Sequence, residues 1–343
     1  MKRFTHTAQL LYSELLEELR LLSIPQTKGL SFVGKTIKGN LYWYAQYAIG
    51  EIKKQSYIGP DSKDLRQLID KFKEEMKQAS EDRQKAAELI RALKQTGCYS
   101  PLKGEYRILQ MLDTMGYFKA GGIIVGSHAF FSYANMLGVS FQGQDLRTSD
   151  IDLVPDTSIM VAMPGDQQSF KKKILQSEFG FFEVPKLNHK HPSTSFKSRK
   201  EDIKLDIITP MRGRPSSKPV YISSIDSYAE PVRFLDFLLE DVQQAAVIEG
   251  EGMLISIPHP ARYAIHKLVV SSRRPAAESA KRNKDIRQSD LLINILRDDD
   301  PYSLKVALEA ATRMPGKFMI TVKSNLSKLS SDNQGFLSDM LAL

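Results

Sequence analysis

Ile123-Ile124-Val125-Gly126-Ser127-His128-Ala129, a helical run to Leu137, and then Thr148-Ser149-Asp150-Ile151-Asp152-Leu153-Val154 form the stretch on which the fold turns. The apolar β-branched run after Gly121-Gly122 reads as a buried strand entered from a turn. Gly126-Ser127 then stands where strand gives way to helix, offering backbone N–H groups and the positive end of a helix dipole to an anion such as phosphate. In the second strand, residues two apart project from one face, so Asp150 and Asp152 point together while Ile151 turns to the core. Two neighbouring carboxylates make a site for Mg2+, which takes one or two carboxylates together with phosphate and water oxygens. Asp206, in Lys204-Leu205-Asp206-Ile207-Ile208, lies in another strand-like run and supplies a candidate third carboxylate, enough to clamp two ions on a phosphoryl group.

Outward from this stretch the chain divides into three expected parts. Residues 1–104 begin with an amphipathic helix to residue 24, where Leu10, Leu11, Leu15, Leu16 and Leu19 alternate with Glu14, Glu17 and Glu18, and which stops at Pro25. Asn40-Leu41-Tyr42-Trp43-Tyr44-Ala45-Gln46-Tyr47, then Gly50, then Lys53-Lys54-Gln55-Ser56-Tyr57-Ile58 predicts a hairpin or three-stranded meander. From Asp61 to Lys94 the Lys/Glu/Gln/Ala-rich sequence, with apolar residues at helical spacing, predicts a long helix capped by Asp61 or Ser62. Residues 105–260 alternate strand-like and helical segments, with strands expected at residues 122–125, 151–154, 205–209 and 253–257. Residues 261–343 read as helices at 261–272, 278–296, 301–313 and from Lys317 onward. The fold class is α+β: a mixed β-sheet core with flanking helices, between an N-terminal helix and hairpin module and a C-terminal helical domain.

Composition narrows the setting. The 343 residues are 42% hydrophobic and 26% charged, near globular averages, which excludes wholesale disorder. Cys98 is the sole cysteine, so an intrachain disulfide framework and a multi-cysteine zinc site are both excluded, and a reducing cytoplasm is the expected location. Residues 120–144 carry no charged side chain, yet Ser127, His128, Ser132, Asn135 and Gln142 argue against a membrane span. His189 and His191 flank Lys190, but no third or fourth zinc ligand stands near them. Forty-eight Lys and Arg against 40 Asp and Glu leave a net charge of +8, which favours anionic partners. The hairpin combines Trp43 and Tyr44 with Lys53 and Lys54, a mixture that stacks on bases and meets phosphates; the same alternation also fills the buried face of a strand. Further basic clusters at residues 171–173 and 197–204, and at Arg212 with Arg214, make RNA the leading large partner.

An apolar strand, Gly-Ser, a helix, Asp-x-Asp and a later strand Asp together resemble the nucleotidyltransferase fold shared by DNA polymerase beta and many bacterial nucleotide-transferring enzymes. Ala264-Ile265-His266-Lys267-Leu268, Arg273-Arg274 and Lys284-Asp285-Ile286-Arg287-Gln288 look like the later lysine and Lys-Asp motifs of abortive-infection type nucleotidyltransferase toxins. They are closer still to a bacterial family whose signature begins Gly-Ser-Leu-Thr, with His128-Ala129 here in place of Leu-Thr. The likeness runs from about residue 105 to residue 296.

The resemblance implies an Mg2+-dependent transfer of a nucleoside monophosphate from a nucleoside triphosphate to an acceptor, with pyrophosphate leaving; the basic clusters favour RNA, such as tRNA, over a protein or a small molecule as that acceptor. Asp150, Asp152 and Asp206 would hold one or two ions, and Asp206 would take the proton of the attacking hydroxyl. Gly126 and Ser127 would bind the β and γ phosphates, Lys267 would neutralise their charge, and Asp285 would orient Lys267 or the nucleoside. An antitoxin protein is the further partner that the toxin likeness implies. The alternative is an inactive nucleic-acid- or partner-binding protein on the same scaffold, although three clustered carboxylates repel one another and call for a cation.

Overall fold

The N-terminal residues build two packed helices and a small sheet in the computed structural model, which describes residues 2–23, 31–49, 52–141, 149–155 and 169–342. Pro25, the expected helix stop, and Thr148 lie outside the described residues, as do the side chains of Lys53, Lys54 and Met76. Strand β1 (Lys2–Arg3) leads into α1 (His6–Ser23), and β2 (Ser31–Ile37), β3 (Asn40–Ile49) and β4 (Ile52–Pro60) form an antiparallel meander. Helix α2 (Lys63–Gln95) follows; the Ser62 hydroxyl accepts from the Leu65 N–H and so caps it. Its 33 residues extend about 50 Å.

The two ends of α2 have different partners. Near its start, Phe72 meets Phe32 of β2 and the Lys73 ammonium lies 5.6 Å from the Trp43 ring centroid. The Trp43 indole N–H donates to Asp61 at 2.9 Å, and Arg66 also bonds Asp61, holding that carboxyl well below the usual carboxylate range. Near its end, Leu89, Ile90 and Leu93 are buried with Tyr12, Leu15 and Leu19 of α1 against Ala246 and Ile248.

The central part runs through α3 (Lys103–Thr114), β5 (Ile123–Val125), α4 (Gly126–Met136), β6 (Val139–Ser140), β7 (Asp150–Val154), α5 (Phe170–Gln176), β8 (Phe182–Glu183), β9 (Ser195–Lys197), β10 (Lys204–Pro210), β11 (Val220–Ile222), β12 (Ser227–Val232) and α6 (Leu235–Leu239). Strands β11-β12-β10-β7-β5 lie in that order in one sheet, with β9 on the first half of β10 and β8 on β9. Strand β10 is parallel to β7 and β12, while β5 is antiparallel to β7, so the sheet is mixed as expected. The expected strand at residues 253–257 is β14 (Met253–Pro258); it pairs with β13 (Val242–Val247) in a separate hairpin rather than joining the main sheet.

Helices α7 (Pro260–Arg273), α8 (Ser279–Asp299), α9 (Pro301–Arg313), α10 (Phe318–Asn325) and α11 (Ser331–Ala342) complete the chain. His259 caps α7 by accepting from the Ala261 N–H, and Pro260 and Pro301 occupy the first helical turn, where no hydrogen bond is lost. One apolar core joins Ile124, Ile151, Leu153, Leu205 and Ile207 of the sheet to Leu268 and Leu292 of α7 and α8. The architecture is thus α+β with helices flanking a mixed sheet. Among the described residues no helix is long and apolar enough to cross a membrane.

Candidate active site

Gly126 is the first residue of α4 and adopts φ +67°, a backbone region that favours glycine. Antiparallel pairing sets Val125 opposite Asp152, which brings that carboxylate over the glycine: a Cβ on Gly126 would fall on Asp152 Oδ2. The turn is tied from behind by the buried Tyr263 hydroxyl, 2.9 Å from the Gly126 carbonyl and 3.1 Å from the Gln288 side-chain amide. Ser127 is buried in the first turn of the same helix. Gly126→Ala is expected to cost about 1–2 kcal/mol from backbone strain alone, read by urea unfolding. A variant as stable as the parent would show that the turn does not hold residue 126 in this left-handed conformation.

The carboxylates come together through the parallel pair. Asp206 of β10 stands in register with Asp152 of β7, and Lys204 with Asp150, so all four side chains share one face of the sheet. Asp206 accepts from the Ser195 hydroxyl at 2.5 Å and is paired with the Lys204 ammonium at 2.7 Å. Burial and the neighbouring Asp206 charge push the Asp152 carboxyl up to about 6, with Asp150 adding to the effect and Lys267 and Lys204 opposing it.

The cationic side of the site is built by α7 and α8. Lys267 and Asp285 form a 2.6 Å ion pair, and Arg274 Nε reaches the other oxygen of Asp285 at 2.6 Å; the Asp285 side chain is only 2% exposed. Burial pushes the Asp285 carboxyl up, but the Lys267 charge and the Arg274 hydrogen bond more than offset it and leave the group below its usual range. Burial and the Lys267 charge lower Lys284 to about 8 despite the opposing pull of Asp285, Asp150 and Asp152. These mutual shifts place Lys267, Lys284 and the three strand carboxylates within one electrostatic neighbourhood.

Hard carboxylate oxygens under mutual repulsion suit a magnesium ion. Among the described residues no three His, Cys, Asp or Glu side chains close around a cation by themselves. Asp206 is turned onto Lys204 and Ser195, so an ion here would need part of its oxygen shell from phosphate and water.

The structure therefore gathers Gly126, Ser127, Asp150, Asp152, Asp206, Lys267 and Asp285. Trp43 and Tyr44 belong to a different sheet, the N-terminal meander, as do Lys53 and Lys54 of β4. Ser195 and Tyr263 were not singled out in the sequence, while Lys204, Arg274, Lys284 and Gln288 stand within the quoted motifs without having been given a role there. Lys204 was legible in principle, two residues before Asp206 on the same strand face, and Lys284 adjoins Asp285. Ser195 lies on a three-residue strand that hydrophobic patterning cannot reveal.

No match to the chain is found among curated proteins or among solved structures. Residues 103–313 match a family model described as nucleotidyltransferase, a span that takes in the Gly126-Ser127 turn, the three carboxylates, and α7 and α8 with their ion pairs. More than half of the chain lies within that match, and the protein belongs to this nucleotidyltransferase family, an enzyme of nucleotidyl transfer.

Proposed function

We propose that the protein is a magnesium-dependent nucleotidyltransferase that moves a nucleoside monophosphate from a nucleoside triphosphate onto RNA. The observation that carries this reading is the register of β7 and β10, which sets Asp150, Asp152 and Asp206 on one face beside the Gly126 turn. Asp150, Asp152 and Asp206 would hold the magnesium, which supplies charge neutralisation at the phosphates. Gly126 and Ser127 at the start of α4 receive the β and γ phosphates. Lys267, positioned by Asp285, offsets the triphosphate charge, and Lys284 adds a second cation at the pH of the cell. Asp206 accepts the proton of the attacking acceptor hydroxyl as its oxygen bonds to the α-phosphorus, and the bond to the leaving pyrophosphate breaks in line. Such chemistry asks the protein chiefly for positioning and electrostatics.

The RNA assignment rests on the +8 net charge and on exposed basic residues such as Arg212 and Arg214 in the loop that follows β10. The test incubates each α-labelled nucleoside triphosphate with total RNA, Mg2+ and the protein, beside an Asp150→Ala/Asp152→Ala variant. Label entering RNA only with intact carboxylates is expected. Label appearing on protein would replace RNA by a protein acceptor, and absence of transfer with RNA still bound by both would favour a binding scaffold.

A further inference from the structure

Strand alternation gives the N-terminal meander two unlike faces. One, with Phe32, Leu41 and Trp43, lies against α2. The other carries Lys35, Tyr42, Tyr44, Gln46, Gln55 and Tyr57. Register pairs Tyr44 with Tyr57, Gln46 with Gln55 and Lys35 with Tyr42. A register shift beside Trp43 lets Gly59 face Trp43 while Tyr57 faces Tyr44, although regular alternation would set residues 57 and 59 on the same face.

This second face is open. Tyr57 is 56% exposed, Lys35 and Gln55 are exposed, and Tyr42, Tyr44 and Gln46 are half-buried. The ring centroid of Tyr57 lies 6.2 Å from that of Tyr42 and 5.6 Å from that of Tyr44, and the Lys35 ammonium sits 4.7 Å from the Tyr44 ring. Gln55 links the polar edge, accepting from Lys35 and donating to Gln46. A folding role alone accounts poorly for three neighbouring tyrosines on the side of a sheet turned away from its supporting helix, where polar residues ordinarily stand.

We infer that this face is a stacking platform for single-stranded nucleic acid, with unpaired bases lying on Tyr42, Tyr44 and Tyr57 and the backbone drawn to the lysines. Two properties choose this occupant over a protein. Aromatic faces in a row offer every base a stacking surface without selecting its sequence, and amide side chains at their edge can bond to base edges. Residues 31–60 also hold four lysines against one glutamate, a net +3 complementary to a phosphodiester chain. Bases in a duplex have no free face to give, so the platform selects single strands. The inference deepens the acceptor half of the proposed function and rests on that reading for the strand's purpose; binding itself stands independently of transfer.

The experiment measures fluorescence anisotropy of a labelled oligoadenylate, alone and annealed to oligouridylate, with the full-length protein across a salt series. Tyr44→Ala/Tyr57→Ala is expected to weaken single-strand binding at least about tenfold, while Tyr44→Phe/Tyr57→Phe keeps the affinity because the π-faces remain. The Asp150→Asn/Asp152→Asn variant should bind as the parent does. Equal affinity for single strand and duplex, an alanine variant that binds normally, or a parent that binds no oligonucleotide at low salt would each overturn the platform, and the last would redirect this face to a protein partner. Binding that follows the tyrosines in a protein that transfers no label would sustain the platform and remove only the transfer reading.

Discussion

Asp150→Asn/Asp152→Asn is expected to lower nucleotidyl transfer by at least about a thousandfold, since the electrostatic help of a carboxylate-held metal is worth several kcal/mol. The same change at Asp152 should stabilise the metal-free protein above pH 6. Its carboxyl titrates near the ordinary 3.8 when unfolded and about 6 when folded, because burial and Asp206 disfavour the charged form. Between these values the folded chain binds more protons than the unfolded one, so stability falls as pH rises through the window and the whole penalty is present above it. Asparagine removes that penalty, worth on the order of 1–3 kcal/mol. Melting curves of Asp152→Asn and the parent without metal should therefore coincide near pH 4 and separate at pH 7.5, the variant melting higher. Loss of stability together with loss of transfer would mean that Asp152 supports the fold instead of being held under strain for the reaction.

Asp285 predicts the opposite sign. Its carboxylate is buried between Lys267 and Arg274, and removing it takes the ion-pair partner from the largely buried Lys267 and leaves Arg274 with Glu278, 3.1 Å away. Asp285→Ala should cost about 3–5 kcal/mol, the range for breaking a buried pair from one side. Lys267→Met should cost less, because Arg274 still neutralises Asp285. The folded carboxyl lies below its usual range, so its contribution is complete above about 4 and is lost as pH falls through the folded value. Urea unfolding at pH 7 and at pH 3 measures both statements: the deficit of Asp285→Ala should be large at pH 7 and shrink in acid. A variant within about 0.5 kcal/mol of the parent at pH 7 would refute the buried clamp.

Local signals and non-local pairing explain what could be read in the sequence. Helix α9 begins and ends at Pro301 and Arg313 as expected, because Asp300 and Pro301 form a start signal that needs no tertiary context. The Gly126-Ser127 turn and the Asp150-x-Asp152 strand were equally legible, each being a short-range pattern. The parallel register that brings Asp206 to Asp152 was not, since nothing within either segment specifies which strand lies beside it. The same limit hid Ser195, which reaches Asp206 only through the pairing of β9 with β10. Strands β8 and β9 have two and three residues, too few to show a period, and β9 nevertheless supplies Ser195. In the meander, alternation separates Trp43 from Tyr44 but cannot say which of the two meets α2; that depends on the helix, and the register shift beside Trp43 reorders the next strand.

Helix α2 carries the meander near Phe72 and docks on the body near Ile90, 18 residues further on, or about 27 Å at an α-helical rise. Such a rod acts as an outrigger: it carries the open tyrosine face of the meander at a set reach from the place where the helix is clamped to α1 and to Ala246 and Ile248. Adding or deleting whole helical turns between Phe72 and Ile90 would change that reach while leaving the clamp around Ile90 as it is.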